Sequence, residues 1–243
     1  MLTINIITLF PKMFSGPFSE SIIRRAQKEG KVKINIHDLR NWAIDERGTV
    51  DSRPYGGGKG MVLRPEPIFQ ATESIKPKRQ PEKTTVILLT PQGKIFNQQK
   101  AQKLKEQKNL ILICGHYEGV DERVRTHLVD DELSIGNYIL TGGEIPAMVV
   151  TDAVVRLLPG VLEKEATSQE SFQNSSDKRN AFIQSKGTGI LEYPQYTRPR
   201  NFRGLKVPEI LLSGNHQEIK KWRRRKAVSH TKERRPELLK KSA

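Results

Sequence analysis

Three turns hold the residues whose types and spacing could do chemistry: Thr90-Pro91-Gln92-Gly93, Cys114-Gly115-His116-Tyr117-Glu118-Gly119 and Leu140-Thr141-Gly142-Gly143-Glu144-Ile145-Pro146. Glycine after an apolar run permits a positive φ or lets a second backbone or a ligand come close. Such turns offer main-chain N–H and C=O groups, and three of them together would make a pocket for a nucleoside-bearing cofactor. Other chemistries are poorly served. No G-x-G-x-x-G follows the first apolar run, no Lys-Ser/Thr closes the glycines at 56 to 60 as a phosphate-binding loop, no Ser/His/Asp arrangement is evident, and no His/Cys cluster has zinc spacing. Arg156, the one base on the helix expected after Gly143, is either surface decoration or a charge pointing into the site.

The turns need elements to position them. Leu2 to Leu9 reads as a strand stopped by Pro11, Ser19 to Lys28 as a helix stopped by Gly30, and Val32 to Ile36 as a second strand. This β–α–β opening sets an α/β expectation. The short apolar runs Thr85 to Leu89 and Leu110 to Cys114 predict interior parallel strands, with helices at 65 to 75, 97 to 107 and 144 to 158 around them. Ile135 to Leu140 predicts a further strand. Ligands of open parallel sheets bind at the carboxyl ends of strands, so the three turns are expected to converge there. Residues 40 to 64 read as a loop, where Asp51 to Gly58 is either a phosphate cradle or a plain flexible segment. Residues 161 to 189 read as a polar interdomain linker that orders when substrate binds, since a structureless run of that length is unusual inside a compact domain.

Charge divides the chain. Residues 1 to 175 hold 24 Lys+Arg and 21 Asp+Glu, whereas residues 176 to 243 hold 18 and 6. The basic excess surrounds a helix bearing Ile219 and Trp222 on one face, with Lys220, Lys221, Arg223, Arg224, Arg225 and Lys226 about them. A polyanion docked by the C-terminal part is implied, held through phosphates without sequence reading. Trp222 is either the anchor of a small core or a base-stacking platform. A single cysteine excludes a disulfide framework, no apolar run reaches membrane-spanning length, and the N-terminus lacks the features of a secretory signal. A cytoplasmic protein without a membrane partner is expected.

Taken together, Asp51-Ser-Arg-Pro-Tyr-Gly-Gly-Gly, Pro91-Gln-Gly, Cys114-Gly-His-Tyr-Glu-Gly-Val-Asp-Glu-Arg, Ser134-Ile-Gly-Asn-Tyr-Ile-Leu-Thr-Gly-Gly-Glu, Tyr196-Thr-Arg-Pro and Leu212-Ser-Gly-Asn-His closely resemble the bacterial tRNA (guanine-N1-)-methyltransferases that modify position 37, beside the anticodon. The resemblance covers nearly the whole chain. It implies a SPOUT-type parallel-sheet α/β domain with a deep trefoil knot over residues 1–160, a linker over 161–189 and a small, mostly helical, basic tRNA-binding domain over 190–243. The knot is an exception to the rule that chains do not thread themselves. S-adenosylmethionine would contact Leu89, Thr90, Pro91, Gly93, Gly115, Tyr117, Glu118, Ser134, Ile135, Gly136, Tyr138, Leu140, Gly142, Gly143 and Pro146. A homodimer is implied, each site completed by the partner's linker and C-terminal domain, with Mg2+ needed for activity and its ligands unassigned.

The chemistry implied is proton removal from guanine N1 by a general base, with a cation at the developing charge on O6. Arg156 matches the family's cation. The family's base is an aspartate before a Ser-Phe pair, but this chain has Glu170-Ser171-Phe172, one methylene longer, in a linker longer than the pattern. Asp177 is a rival base. His116 stands where relatives carry arginine or histidine and is assigned no catalytic role. Two other readings stay beside this one: a non-catalytic RNA-binding protein that retains the fold, and a nucleotide hydrolase using the loop at Gly56 to Gly60.

Overall fold

The computed structural model describes residues 1–77, 83–163, 170–172 and 189–239. The chain forms two compact units, Met1–Leu162 and Glu163–Ala243.

The first unit is built on a sheet of β1 (Leu2–Thr8), β2 (Val32–Asp38), a longer β5 (Thr84–Ile95), β6 (Asn109–Cys114) and β7 (Asp131–Ser134), in the order β2-β1-β6-β5-β7. Every pairing in it is parallel. Period-2 alternation makes both faces apolar, as buried parallel strands require. Ile4, Ile6, Ile87, Leu89, Leu110 and Leu112 face one way, into a core closed by Ala26 of α2 (Ser21–Lys28), Leu104 of α4 (Gln98–Leu104) and Val150 and Val154 of α6 (Glu144–Val155). Ile7, Val86, Leu88, Ile111 and Ile113 face the other way, against Ile68 and Ala71 of α3 (Pro65–Ile75) and Val124 of α5 (Glu122–His127). A short helix, α1 (Ser15–Phe18), tucks Phe18 under the first face.

The expected α/β class and the β–α–β opening are therefore present, and two boundaries differ. Residues 135 to 140 are not a strand. The strand is Asp131–Ser134, and beyond it Ser134 Oγ donates to Gly136 O and accepts from Gly136 N while Tyr138 N donates to Gly136 O. These local bonds take the groups that a ladder would need. The run Thr85 to Leu89 does not end at its turn either: Leu89 and Lys94 both pair with Leu133, so residues 90 to 93 bulge out of a strand that resumes and continues to Ile95. The loop expected at 40 to 64 includes a small antiparallel pair, β3 (Asp51–Ser52) with β4 (Val62–Leu63), and Gly56, Gly57, Gly58 and Gly60 all have positive φ.

The second unit contains a two-residue hairpin, β8 (Asn201–Phe202) with β9 (Leu205–Lys206), and the helix α7 (His216–Arg234). Asn215 caps α7, its side chain accepting from Glu218 N. Trp222, Ala227 and Thr231 are buried along α7, and Leu238 joins them from the turn that follows. Trp222 is only 7% exposed, so of its two readings the core anchor is the one observed. Among the described residues no helix is long and apolar enough to cross a membrane.

Candidate active site

The bulge within β5 and the carboxyl ends of β6 and β7 open into one cavity of about 370 Å³. The strand order makes this a switch point, because the chain returns from β5 to β6 and then crosses to β7 on the far side of β5. Each wall comes from a turn: Leu89 to Gln92, Gly115 to Val120, and Ser134 to Gly143 with Pro146 at the start of α6.

The turns are locked to each other through main chain. Gly143 N donates to Gly115 O at 2.8 Å, and His116 and Gly142 form an isolated antiparallel bridge. The approach is closer than any side chain would allow. A Cβ on Gly143 would lie 2.7 Å from Cys114 Cα, and one on Gly142 would lie 2.4 Å from Glu144 Oε2 and 2.6 Å from His116 Nδ1. Here glycine is required by space, since φ at Gly143 is −81°.

Beneath this contact lies a buried carboxylate. Glu144 is 2% exposed, in the first turn of α6, where the helix dipole favours negative charge. Its Oε1 accepts from Thr8 Oγ1 at 2.7 Å, and Thr8 Oγ1 in turn accepts from Phe10 N. Burial, with the Glu144 charge added, pushes the Cys114 thiol well above its usual range, so it is protonated and inert rather than a nucleophile. On the cavity's other wall Arg125 is bonded to Glu122 and Glu132, and these carboxylates hold its pKa above the ordinary arginine value.

Of the expected cofactor contacts, Leu89, Thr90, Pro91, Gly115, Tyr117, Glu118, Ser134, Ile135, Gly136, Tyr138, Leu140, Gly142, Gly143 and Pro146 all line the cavity. Gly93 does not. It packs against the neighbouring strand, where a Cβ would fall 2.5 Å from the backbone of Glu132 and Leu133. Its glycine serves the bulge, not the wall. Gln92, His116, Glu122, Arg125 and Thr141 line the cavity without having been singled out as contacts. Gln92, His116 and Thr141 sat inside turns already marked, but nothing in the spacing of Glu122 or Arg125 aimed them inward. His116 Nδ1 is buried without a hydrogen-bond partner among the described residues, its ring against Phe10 and Tyr117.

Neither of the two expected catalytic residues is among those lining the cavity. Arg156 is half-buried at the C-terminal end of α6, one helix length, roughly 18 Å, from the end that meets the cavity. Glu170 belongs to the second unit. There Phe172 N donates to Ile190 O at 3.1 Å and Ser171 Oγ accepts from Glu192 N at 2.9 Å, so the residues after Glu170 are tied down. Phe172 takes φ +66°, unusual for a bulky residue and maintained by those bonds. Asp177 lies outside the described residues. The loop at Asp51 to Gly58 does not line the cavity; Tyr55 at its tip is fully exposed.

The fit to an S-adenosylmethionine-sized ligand is good. The volume is within the range of small-molecule sites, and the walls mix apolar side chains with main-chain donors and acceptors. Comparison with known proteins agrees with the motifs. A family model described as tRNA (Guanine-1)-methyltransferase TrmD matches residues 2–241. Among curated relatives, the tRNA (guanine-N(1)-)-methyltransferase of Dictyoglomus turgidum is 53% identical, covering 100% of this chain and 92% of its own. That of Pelotomaculum thermopropionicum is also 53% identical over 98% and 90% of the two chains, and that of Staphylococcus aureus 50% over 99% and 91%. A match over almost every residue, with the turns of the cavity inside it, means that this chain belongs to the tRNA (guanine-1)-methyltransferase TrmD family.

Proposed function

We propose that the protein transfers the methyl group of S-adenosylmethionine to N1 of the guanosine at position 37 of tRNA. The observation that carries this is the cavity at the switch point, walled by three turns whose glycines allow main chain to meet main chain, in a chain of this family. When bound there, S-adenosylmethionine supplies an electrophilic methyl group. The protein's residues have three tasks. The turns bind the nucleoside part through main-chain groups. Glu170 takes the N1 proton of guanine, since N1 is a poor nucleophile until that proton leaves. Arg156 places its cation at O6, where negative charge develops as the proton departs. The target base must leave its stack for its N1 to reach the methyl group of a cofactor bound in the cavity.

A deep trefoil knot is part of the same reading, supported by the main-chain bonds that tie residues 142 and 143 to residues 115 and 116. So is a homodimer. Arg156 lies a helix length from its own chain's cavity, and Ile145 and Val149, one turn apart on α6, are exposed apolar side chains that a second copy would cover. The partner's C-terminal unit would then bring a Glu170 to the site. The domain division at 160 and 190 and a cytoplasmic location belong to this reading too. No group of three or more His, Cys, Asp or Glu able to hold a metal occurs among the described residues. Magnesium's usual mode, one or two carboxylates with phosphate oxygens and water, needs no such group, and no step is assigned to it.

The test is methyl transfer from labelled S-adenosylmethionine to tRNA transcripts carrying guanosine or adenosine at position 37. Transfer to the guanosine transcript alone is expected, lost at least a hundredfold in Glu170→Ala and Arg156→Ala and retained in Asp177→Ala. Loss in Asp177→Ala with activity kept in Glu170→Ala would move the base. Cofactor binding without transfer by the wild type would replace the enzyme by an RNA-binding protein of the same fold.

A further inference from the structure

The second unit contains a cavity of its own, about 360 Å³, unrelated to the cofactor turns. Its lining is chemically one-sided. Arg198, Arg200 and Arg223 contribute three guanidinium groups, Tyr193 and Tyr196 two aromatic rings, and no lining residue is acidic. The nearby carboxylate of Glu192 is engaged by Gln195 Nε2.

Two observations mark it as built for a ligand rather than left by loose packing. Arg223 Cζ lies over the Tyr193 ring, 4.8 Å from its centroid, a cation–π pair fixed from one side of α7. The Nε of the same guanidinium is shielded from solvent and has no hydrogen-bond partner among the described residues. A shielded, unsatisfied donor next to an aromatic wall calls for an acceptor that the described residues do not provide. Half-buried Val207 and Ile219 add apolar surface, while Arg198 and Arg200 are exposed.

We propose that this cavity is a second nucleotide site, taking an unstacked nucleotide of the tRNA other than the one that is methylated. The inference rests on the reading of the protein as a tRNA-modifying enzyme. A concave space of this volume admits one base with its sugar but not a duplex. Bases released from a stack are held by aromatic rings and guanidinium planes, and the attached phosphates by arginine forks. The basic face of α7 alone would bind any polyanion; an aromatic–arginine pocket additionally requires an unpaired nucleotide at the right distance, and so reads tRNA shape.

The experiment uses the full-length protein and a fluorescent tRNA transcript, comparing wild type with Tyr193→Leu, Tyr193→Phe and Arg223→Ala, and taking S-adenosylmethionine affinity alongside. Tyr193→Leu and Arg223→Ala should weaken tRNA binding roughly ten- to hundredfold, Tyr193→Phe should stay within about twofold, and cofactor affinity should be unchanged in all. In 2′-hydroxyl acylation of the bound tRNA, one unpaired nucleotide should lose its bound-state signal with Tyr193→Leu. If Tyr193→Leu binds and footprints as wild type while wild type binds and methylates tRNA, the second site is wrong and the proposed function stands. If wild type does not bind tRNA, both fail. If weaker binding accompanies dimer dissociation in sedimentation, the cavity belongs to a subunit interface and the nucleotide site is overturned.

Discussion

At Gly143 a single hydrogen atom in place of a methyl decides whether two turns can meet. Its missing Cβ would stand 2.7 Å from a backbone carbon, not from a side chain that could swing away. Gly143→Ala should therefore lower stability by about 1–3 kcal/mol and weaken S-adenosylmethionine binding at least tenfold, read by thermal melting and calorimetry. Gly16→Ala is the control: nothing lies within 4 Å of a Cβ there, so cofactor affinity should hold and stability should not fall, a helical alanine adding up to about 1 kcal/mol. A Gly143→Ala protein with wild-type melting and affinity would show that the turns have slack and that close approach does not shape the pocket. The buried Thr8–Glu144 pair belongs to the same scale, since it ties the end of β1 to the start of α6 directly under the glycines.

At the scale of elements, the sheet and α7 place opposite demands on sequence. The sheet is fixed by side chains on both faces, and its two cores need only apolar residues in alternation. The second unit is small, and α7 carries one large buried side chain among many charges. Trp222→Ala should cost about 3–5 kcal/mol and move the unfolding of this unit to lower urea, while the cofactor cavity of the first unit keeps its affinity. Loss of cofactor binding in parallel with tRNA binding would mean that the two units do not fold separately.

For the whole molecule the relevant quantity is the asymmetry of charge. Four of the exposed bases of α7, Lys220, Lys221, Arg224 and Arg225, are free of the packing that confines Trp222. Affinity for tRNA should fall steeply between 50 and 200 mM salt, about a thousandfold if some six phosphates are contacted, whereas affinity for S-adenosylmethionine should barely change. Replacing those four residues by glutamine should flatten the log–log salt slope by about one for each phosphate that is no longer neutralised. An unchanged slope would place the RNA on another face.

How far the sequence determined this protein can be judged from particular residues. The α/β class, the convergence of the three turns and the basic C-terminal unit follow from local pattern: apolar runs, glycine positions and charge counts are properties of neighbours in the chain. The motifs likewise placed fourteen of the fifteen expected cofactor contacts on one cavity. What pattern could not supply depends on contacts between distant residues. Ile135 to Leu140 is apolar enough for a strand, yet Ser134 and Gly136 bond each other and no ladder forms. Gly93 looks like a wall glycine but is taken by a bulge whose need arises from β7, some forty residues on. Arg125 is turned to the cavity by Glu122 and Glu132, and the Tyr193–Arg223 pair joins residues thirty apart. The sequence by itself determined which segments would be buried or charged, because hydrophobicity and chain stiffness act locally. Only the tertiary structure decided which main-chain groups meet, because that depends on distances across the sheet that no local spacing encodes.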